Sequence, residues 1–238
     1  MQLQGVVDLN DRRTWPKAFR TVVEDVAPWY GGDRFLNAGE ERRAIAALEG
    51  KLVRAYHCTR LTDRERRSVE TDGLQLLSTA LAQRRLEDAV ADKHLTKEEG
   101  ILYSRTPLPN HPDRRGMVSF FTDRLSLADA SEIGYLVGGW GGEGINMDWD
   151  SHSPEFKRLE RVGKPSVVIA GIDPQLHCER ASPGILDAAV RYFLEGTGAT
   201  TIQSVIAVAP RYIERIEQAG SPYWQRYVWT PREGFAFD

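Results

Sequence analysis

Apolar positions recur along this chain in two periods, and the switches between them mark its elements. Phe19, Val22, Val23 and Val26 fall at helical spacing after Thr14-Trp15-Pro16, which predicts a helix. Residues 39–49 read as a second short helix ending at Gly50. From Lys51 to Arg60 the period drops to two. Val53, Ala55, His57 and Thr59 share one face of a strand, and Arg54, Tyr56, Cys58 and Arg60 share the other. Thr62-Asp-Arg-Glu65 then forms a capping-box pattern and predicts a helix to about Thr71, stopped at Gly73. Residues 79–93 predict another helix, with Leu81, Leu86, Ala89 and Val90 on one face. Thr96-Lys-Glu-Glu99 repeats the capping box, although Gly100 shortens the helix it opens.

Three prolines, an asparagine and a glycine make residues 104–116 a loop. Met117–Thr122 reads as a strand, Ser126–Val137 as a helix, and Gly138–Gly144 as neither. Pro165–Ile172 and Ile202–Val208 are apolar strands on either side of a helix over 183–194, with Pro183 near its first turn. Regular strand–helix alternation is absent, so the pattern predicts an α+β fold rather than a doubly wound sheet. Residues 1–50 read as an N-terminal helical extension and 51–238 as the main domain.

Composition narrows this only modestly. The 238 residues are 41% hydrophobic and 27% charged, ordinary values for a chain with a real core. A net charge of −3 demands no nucleic-acid partner, because affinity for a phosphate backbone is mainly electrostatic. The charge is uneven: residues 1–116 hold 20 basic and 18 acidic side chains, the rest 11 and 16. Two distant cysteines, Cys58 and Cys178, make no disulfide framework. The first residues lack the basic and apolar regions of a signal peptide. No apolar run reaches the roughly 18 residues of a membrane span, so the expectation is a soluble cytoplasmic protein with no membrane partner.

Candidate chemistry gathers at a few places. His57 sits mid-strand on a face that turns from apolar to polar, which suits a strand opening on a cleft; the alternative is a core histidine bonded to a carbonyl. Phe120 and Phe121 end a strand before a polar turn and could stack on a flat heterocycle or simply fill the core. Arg60 lies beside Thr59 and is the candidate to meet a phosphate; Arg64, Arg66 and Arg67 read as a solvated helix face. Gly139-x-Gly141-x-x-Gly144 matches the dinucleotide fingerprint only formally, since residues 145–154 make a poor helix. It reads either as a flexible loop presenting Trp140 and Glu143 near a cleft or as a tight structural turn. The pairs His57-Cys58 and His177-Cys178 lack zinc-site spacing, so no metal is expected.

Taken in order, His57-Cys58-Thr59, Gly73-Leu74, Phe120-Phe121-Thr122, and Ser126 with Ala128 and Tyr135 resemble a known family. It is the ADP-ribosyltransferase superfamily, in its diphtheria-toxin and poly(ADP-ribose)-polymerase-like branch, with this chain as a divergent bacterial or phage member. In that branch a strand carries His-Gly-Thr or His-Gly-Ser and the next helix ends in Gly-Leu. A later strand carries Tyr-Phe-Ala, before a helix with Ser-x-Ala-x-x-Tyr. The resemblance covers roughly residues 53–216. It implies a split, antiparallel or mixed β-sheet with NAD bound as substrate in the cleft. His57 would bond the nicotinamide ribose, Thr59 would support the dinucleotide, and Phe120 would stack on nicotinamide. Phe121, Ser126, Arg60 and Trp140 complete the expected NAD-binding set. Cys58 replaces the usual glycine and Phe120 the usual tyrosine. The third catalytic position, usually a glutamate on a late strand, matches Gln203, with Glu143 as its substitute. A carboxylate there would stabilise the charge that grows as nicotinamide leaves and could act as base for the incoming nucleophile.

The implied function is transfer of ADP-ribose from NAD to a macromolecular acceptor, protein or nucleic acid, as in a toxin or phage-conflict effector. Three alternatives stand beside it. One is the same fold binding a nucleotide or partner without chemistry. Another is an RNA 2′-phosphotransferase, which needs more basic residues around the phosphate than Arg60. The third is an interaction module using the Trp-rich segments 140–149 and 224–229.

Overall fold

A computed structural model describes residues 5–31, 36–105, 115–146, 149–177, 184–196 and 201–229. The first elements are β1 (Val6–Val7), α1 (Lys17–Val26), α2 (Ala38–Ala46), β2 (Leu52–Leu61), α3 (Asp63–Asp72), α4 (Thr79–Ala91) and α5 (Lys97–Tyr103). Then come β3 (Val118–Phe121), α6 (Ala130–Gly138), α7 (Pro154–Leu159), β4 (Lys164–Ile172), α8 (Pro174–His177), α9 (Ile185–Glu195), β5 (Thr201–Ser204), β6 (Ile213–Gln218) and α10 (Pro222–Tyr227). Helices combine with a mostly antiparallel sheet, the α+β arrangement that the pattern predicts.

The sheet is ordered β5-β3-β2-β4-β6, with β1 parallel to the start of β2. β4 pairs with β2 from Val53–Ile172 to Leu61–Lys164 and so fills one whole edge of β2. β1 and β3 must therefore share the other edge. The β2–β3 ladder consists of one pair, Tyr56 opposite Phe121. β3 then pairs with β5 over its full length, Val118 opposite Ser204 to Phe121 opposite Thr201. Past Tyr56, β2 thus parts from β3, and the sheet opens there.

Strand alternation builds two cores. Val53 and Ala55 of β2, Val118 and Phe120 of β3, and Val168 and Ala170 of β4 face one apolar layer with α1, α2 and α9. Tyr56, Cys58, Phe121, Val167 and Ile169 face the opposite layer, with Ile133 and Val137 of α6 and Trp224 of α10. In α1 the residues at helical spacing, Phe19, Val22, Val23 and Val26, are the buried ones. Each such side chain contributes roughly 1.5–3 kcal/mol on burial. Residues 5–50 share this core: β1 extends the sheet, and α1 and α2 pack on α9. A third cluster joins α4, α5 and α7 around Trp140 and Ile145, beside the open half of β2.

Local signals act as read in several places. Both capping boxes form, Thr62 with Glu65 and Thr96 with Glu99. Gly73 adopts φ +80, and a Cβ there would lie 1.9 Å from the Val208 carbonyl oxygen. That close approach lets Leu74 and Val208 exchange two backbone hydrogen bonds at 2.9 Å. Other segments differ from expectation. The helix expected over Ser126–Val137 is broken, because Asp129 accepts from Ser131 N–H and starts α6 anew after a short turn over Ser126–Ala128. The strand expected over Ile202–Val208 ends at Ser204, and Val208 bridges to Leu74 instead.

Candidate functional site

The opening between β2 and β3 is a cavity of about 450 Å³. His57, Cys58 and Thr59 line it from β2, Ser119 and Phe121 from β3, and Thr201 and Gln203 from β5. Tyr56 pairs with Phe121 and Ser119 with Gln203, so His57 and Thr59 belong to one sheet face and Ser119, Phe121 and Gln203 to the other. Only because the strands part can both sets reach one space. Leu77, Leu81, Tyr135 and the glycines 141, 142 and 144 enclose it further.

His57 holds the edge of the opening. Its Nδ1 lies 2.9 Å from the Ser119 carbonyl oxygen, where the ladder would otherwise continue. A carbonyl only accepts, so Nδ1 carries the proton. Burial lowers the His57 pKa, the Ser119 carbonyl pulls the other way, and the Arg85 charge adds to the lowering. The ring is thus a neutral imidazole whose Nε2 is an acceptor, the state suited to receive a ligand hydroxyl. Cys58, next along the strand, is buried, and burial pushes its thiol pKa up, so it is no nucleophile at neutral pH.

The other expected site residues divide sharply. Thr59, Phe121 and Gln203 line the same cavity as His57. Phe120 does not: it is 1% exposed and packs in the core, with its ring centroid 5.8 Å from that of His57. Adjacent strand residues face opposite sides, so Phe120 fills the first core while Phe121, itself buried in the second, also lines the cavity. Arg60 is turned away from any ligand. Its guanidinium donates to the carbonyls of Val137, Glu160, Val162 and Gly163 at 2.5–3.0 Å, and burial pulls its pKa down to about 10. Ser126 is also consumed locally, its N–H and Oγ both bonding the Asp123 carboxylate. Trp140 is fully buried, with its indole N–H on Glu65 Oε2 at 2.9 Å, and is not presented to the cleft. Glu143 falls in the short turn Gly142–Gly144; its side chain lies outside the described residues, as does Cys178.

Arg85 is the cavity residue that the sequence pattern does not reveal. It sits half-buried on α4, with no motif around it, and its Nε donates to Glu65 at 2.6 Å at the cavity wall. Gln75 and Thr201 also line the space unannounced. A second, more open depression of about 490 Å³ lies at Asn10–Arg13, Arg124 and Tyr192. Its arginines are already engaged: Arg12 by the Tyr192 and Phe193 carbonyls, Arg13 by Asp11, and Arg124 by Asp8. Among the described residues, no group of three or more histidines, cysteines or carboxylates is placed to hold a metal, and no helix is long and apolar enough to cross a membrane. Compared with protein-family models, with curated proteins and with solved structures, the chain matches none of them.

Proposed function

We propose that this chain is an NAD-dependent ADP-ribosyltransferase whose substrate enters the opening between β2 and β3. The observation that carries the reading is the meeting of His57 and Gln203, from strands far apart in sequence, at one cavity where the sheet splits. The resemblance drawn from His57-Cys58-Thr59 implies a split sheet with a histidine on one side and a late-strand polar group on the other. Neutral His57 would accept from a ribose hydroxyl through Nε2. Phe121, which reaches the cavity, would take the stacking role against nicotinamide. Gln203 would place its amide oxygen near the ribose as nicotinamide departs and positive charge grows. The acceptor is a macromolecule, protein or nucleic acid.

The test is nicotinamide release from NAD by the purified chain, with and without cell extract as acceptor. The reading expects release that is lost in His57→Ala. No release under either condition would overturn it. A second reading, nucleotide binding without chemistry, is favoured by the enclosure of Phe120 and by an amide at position 203. NAD binding with no release would select it.

A further inference from the structure

The cavity wall carries one fixed cation. Among the described residues lining the space, Arg85 is the sole arginine or lysine. It stands where two hollows join: His57, Thr59, Gln75, Leu81 and Arg85 line both the main cavity and a smaller recess that continues past Arg64 and Ser68. Its Nε donates to Glu65 Oε1 at 2.6 Å. The terminal nitrogens make two longer contacts, to the Gly141 carbonyl at 3.3 Å and the Arg60 carbonyl at 3.4 Å. A guanidinium has five N–H donors, so among the described residues two of them have no partner.

The group is also held in place. It lies 5.1 Å from the Trp140 ring centre, and its side chain is 17% exposed. Glu65 stays ionised and offsets much of that charge, so what Arg85 offers the cavity is its directional donors rather than net charge. The second oxygen of Glu65 takes the Thr62 N–H at 2.7 Å and the Trp140 indole N–H at 2.9 Å. Glu65 also belongs to the first turn of α3, where the helix dipole favours an anion. Glu65 and Trp140 thus orient the guanidinium while two of its donors stay open.

We propose that Arg85 is the anion-recognition residue of this cavity, its two open N–H donors taking oxygens of a phosphate or diphosphate in a nucleotide that spans the main cavity and the adjoining recess. A planar fork fixed by packing is well suited to such oxygens. The proposal rests on the reading of this cavity as a nucleotide site, and it gives Arg85 the role that Arg60 is too enclosed to fill.

Calorimetric titration of the full chain with ADP and with adenosine tests it. Wild type should bind ADP about tenfold or more tighter than adenosine. Arg85→Gln should weaken ADP by about tenfold or more and leave adenosine unchanged. Equal binding of ADP by wild type and Arg85→Gln would overturn the proposal. If that variant does not fold, the resonances of the Arg85 terminal Nη–H protons in the wild-type protein decide: they should move with ADP and not with adenosine, and resonances indifferent to ADP overturn the proposal. Arg85-dependent ADP binding without nicotinamide release would keep this inference and remove the transferase reading. Nicotinamide release with ADP binding indifferent to Arg85→Gln would do the reverse.

Discussion

His57 is tied to Ser119 across the split in the sheet, its Nδ1 donating to the Ser119 carbonyl at 2.9 Å. Ser119 in turn stands opposite Gln203 in the β3–β5 ladder. One residue thus links the two candidate catalytic side chains, and it does so where β2 and β3 cease to pair. The imidazole bridges the two strands with a side-chain bond just past the point where their backbones cease to pair.

That burial has a consequence for pH. The folded His57 pKa lies below its ordinary value, with burial the first cause. Between the depressed value and about 6.5, the ordinary histidine pKa, the unfolded chain binds the proton more readily than the folded one, so stability falls as pH falls through that window. His57→Gln keeps a donor for Ser119 but does not titrate. Its melting temperature should drop less than that of wild type between neutral pH and about pH 5. Parallel drops would show that His57 does not contribute to the acid sensitivity.

Arg60 gives the clearest separation of structure from binding. Truncation to Met leaves four carbonyls around a buried space without their donor. Urea denaturation should show a loss of about 3–5 kcal/mol. Folded Arg60→Met at low temperature should nevertheless bind nucleotide as wild type does. A selective loss of nucleotide affinity with stability intact would return Arg60 to the site.

Gly73→Ala tests the close approach that ends α3. The φ of +80 and the 1.9 Å approach to the Val208 carbonyl leave no room for a methyl group. Left-handed backbone costs a non-glycine residue roughly 1–2 kcal/mol, and the Leu74–Val208 bridge must also give way. A total loss of about 3 kcal/mol or more in chemical denaturation is the expectation. A change under about 0.5 kcal/mol would mean that the two segments separate easily.

Gln203 offers a gain rather than a loss. The resemblance implies a glutamate at this position, and Gln203 lines the cavity. Gln203→Glu should raise nicotinamide release about tenfold, because a carboxylate stabilises growing positive charge better than an amide does. Gln203→Ala should lower it. A lower rate for Gln203→Glu than for wild type would place the third catalytic group elsewhere.

Much of the scaffold was legible because it depends on neighbours in sequence. The alternation of Val53 to Arg60, the two threonine caps and the stop at Gly73 are local rules, and each acts here. β6 was not legible: Ile-Glu-Arg-Ile-Glu-Gln is a partly exposed edge strand without apolar alternation. α7 and α10 span six residues each, too few for a helical period to stand out. The site was half legible. His57, Thr59, Phe121 and Gln203 follow from strand position and the resemblance. Trp140, Arg60 and Arg85 do not, because their places depend on partners such as Glu65 and Val162 that lie 20 to 102 positions away.

The affinity of NAD for wild type and for His57→Ala, read by calorimetry on protein whose folding has been checked by circular dichroism, tests this cavity most directly as an NAD site. If NAD occupies the cavity as proposed, with its ribose on His57, binding should be saturable and one-to-one and should weaken about tenfold or more in the variant. No binding by wild type, or equal binding by both proteins, would contradict it.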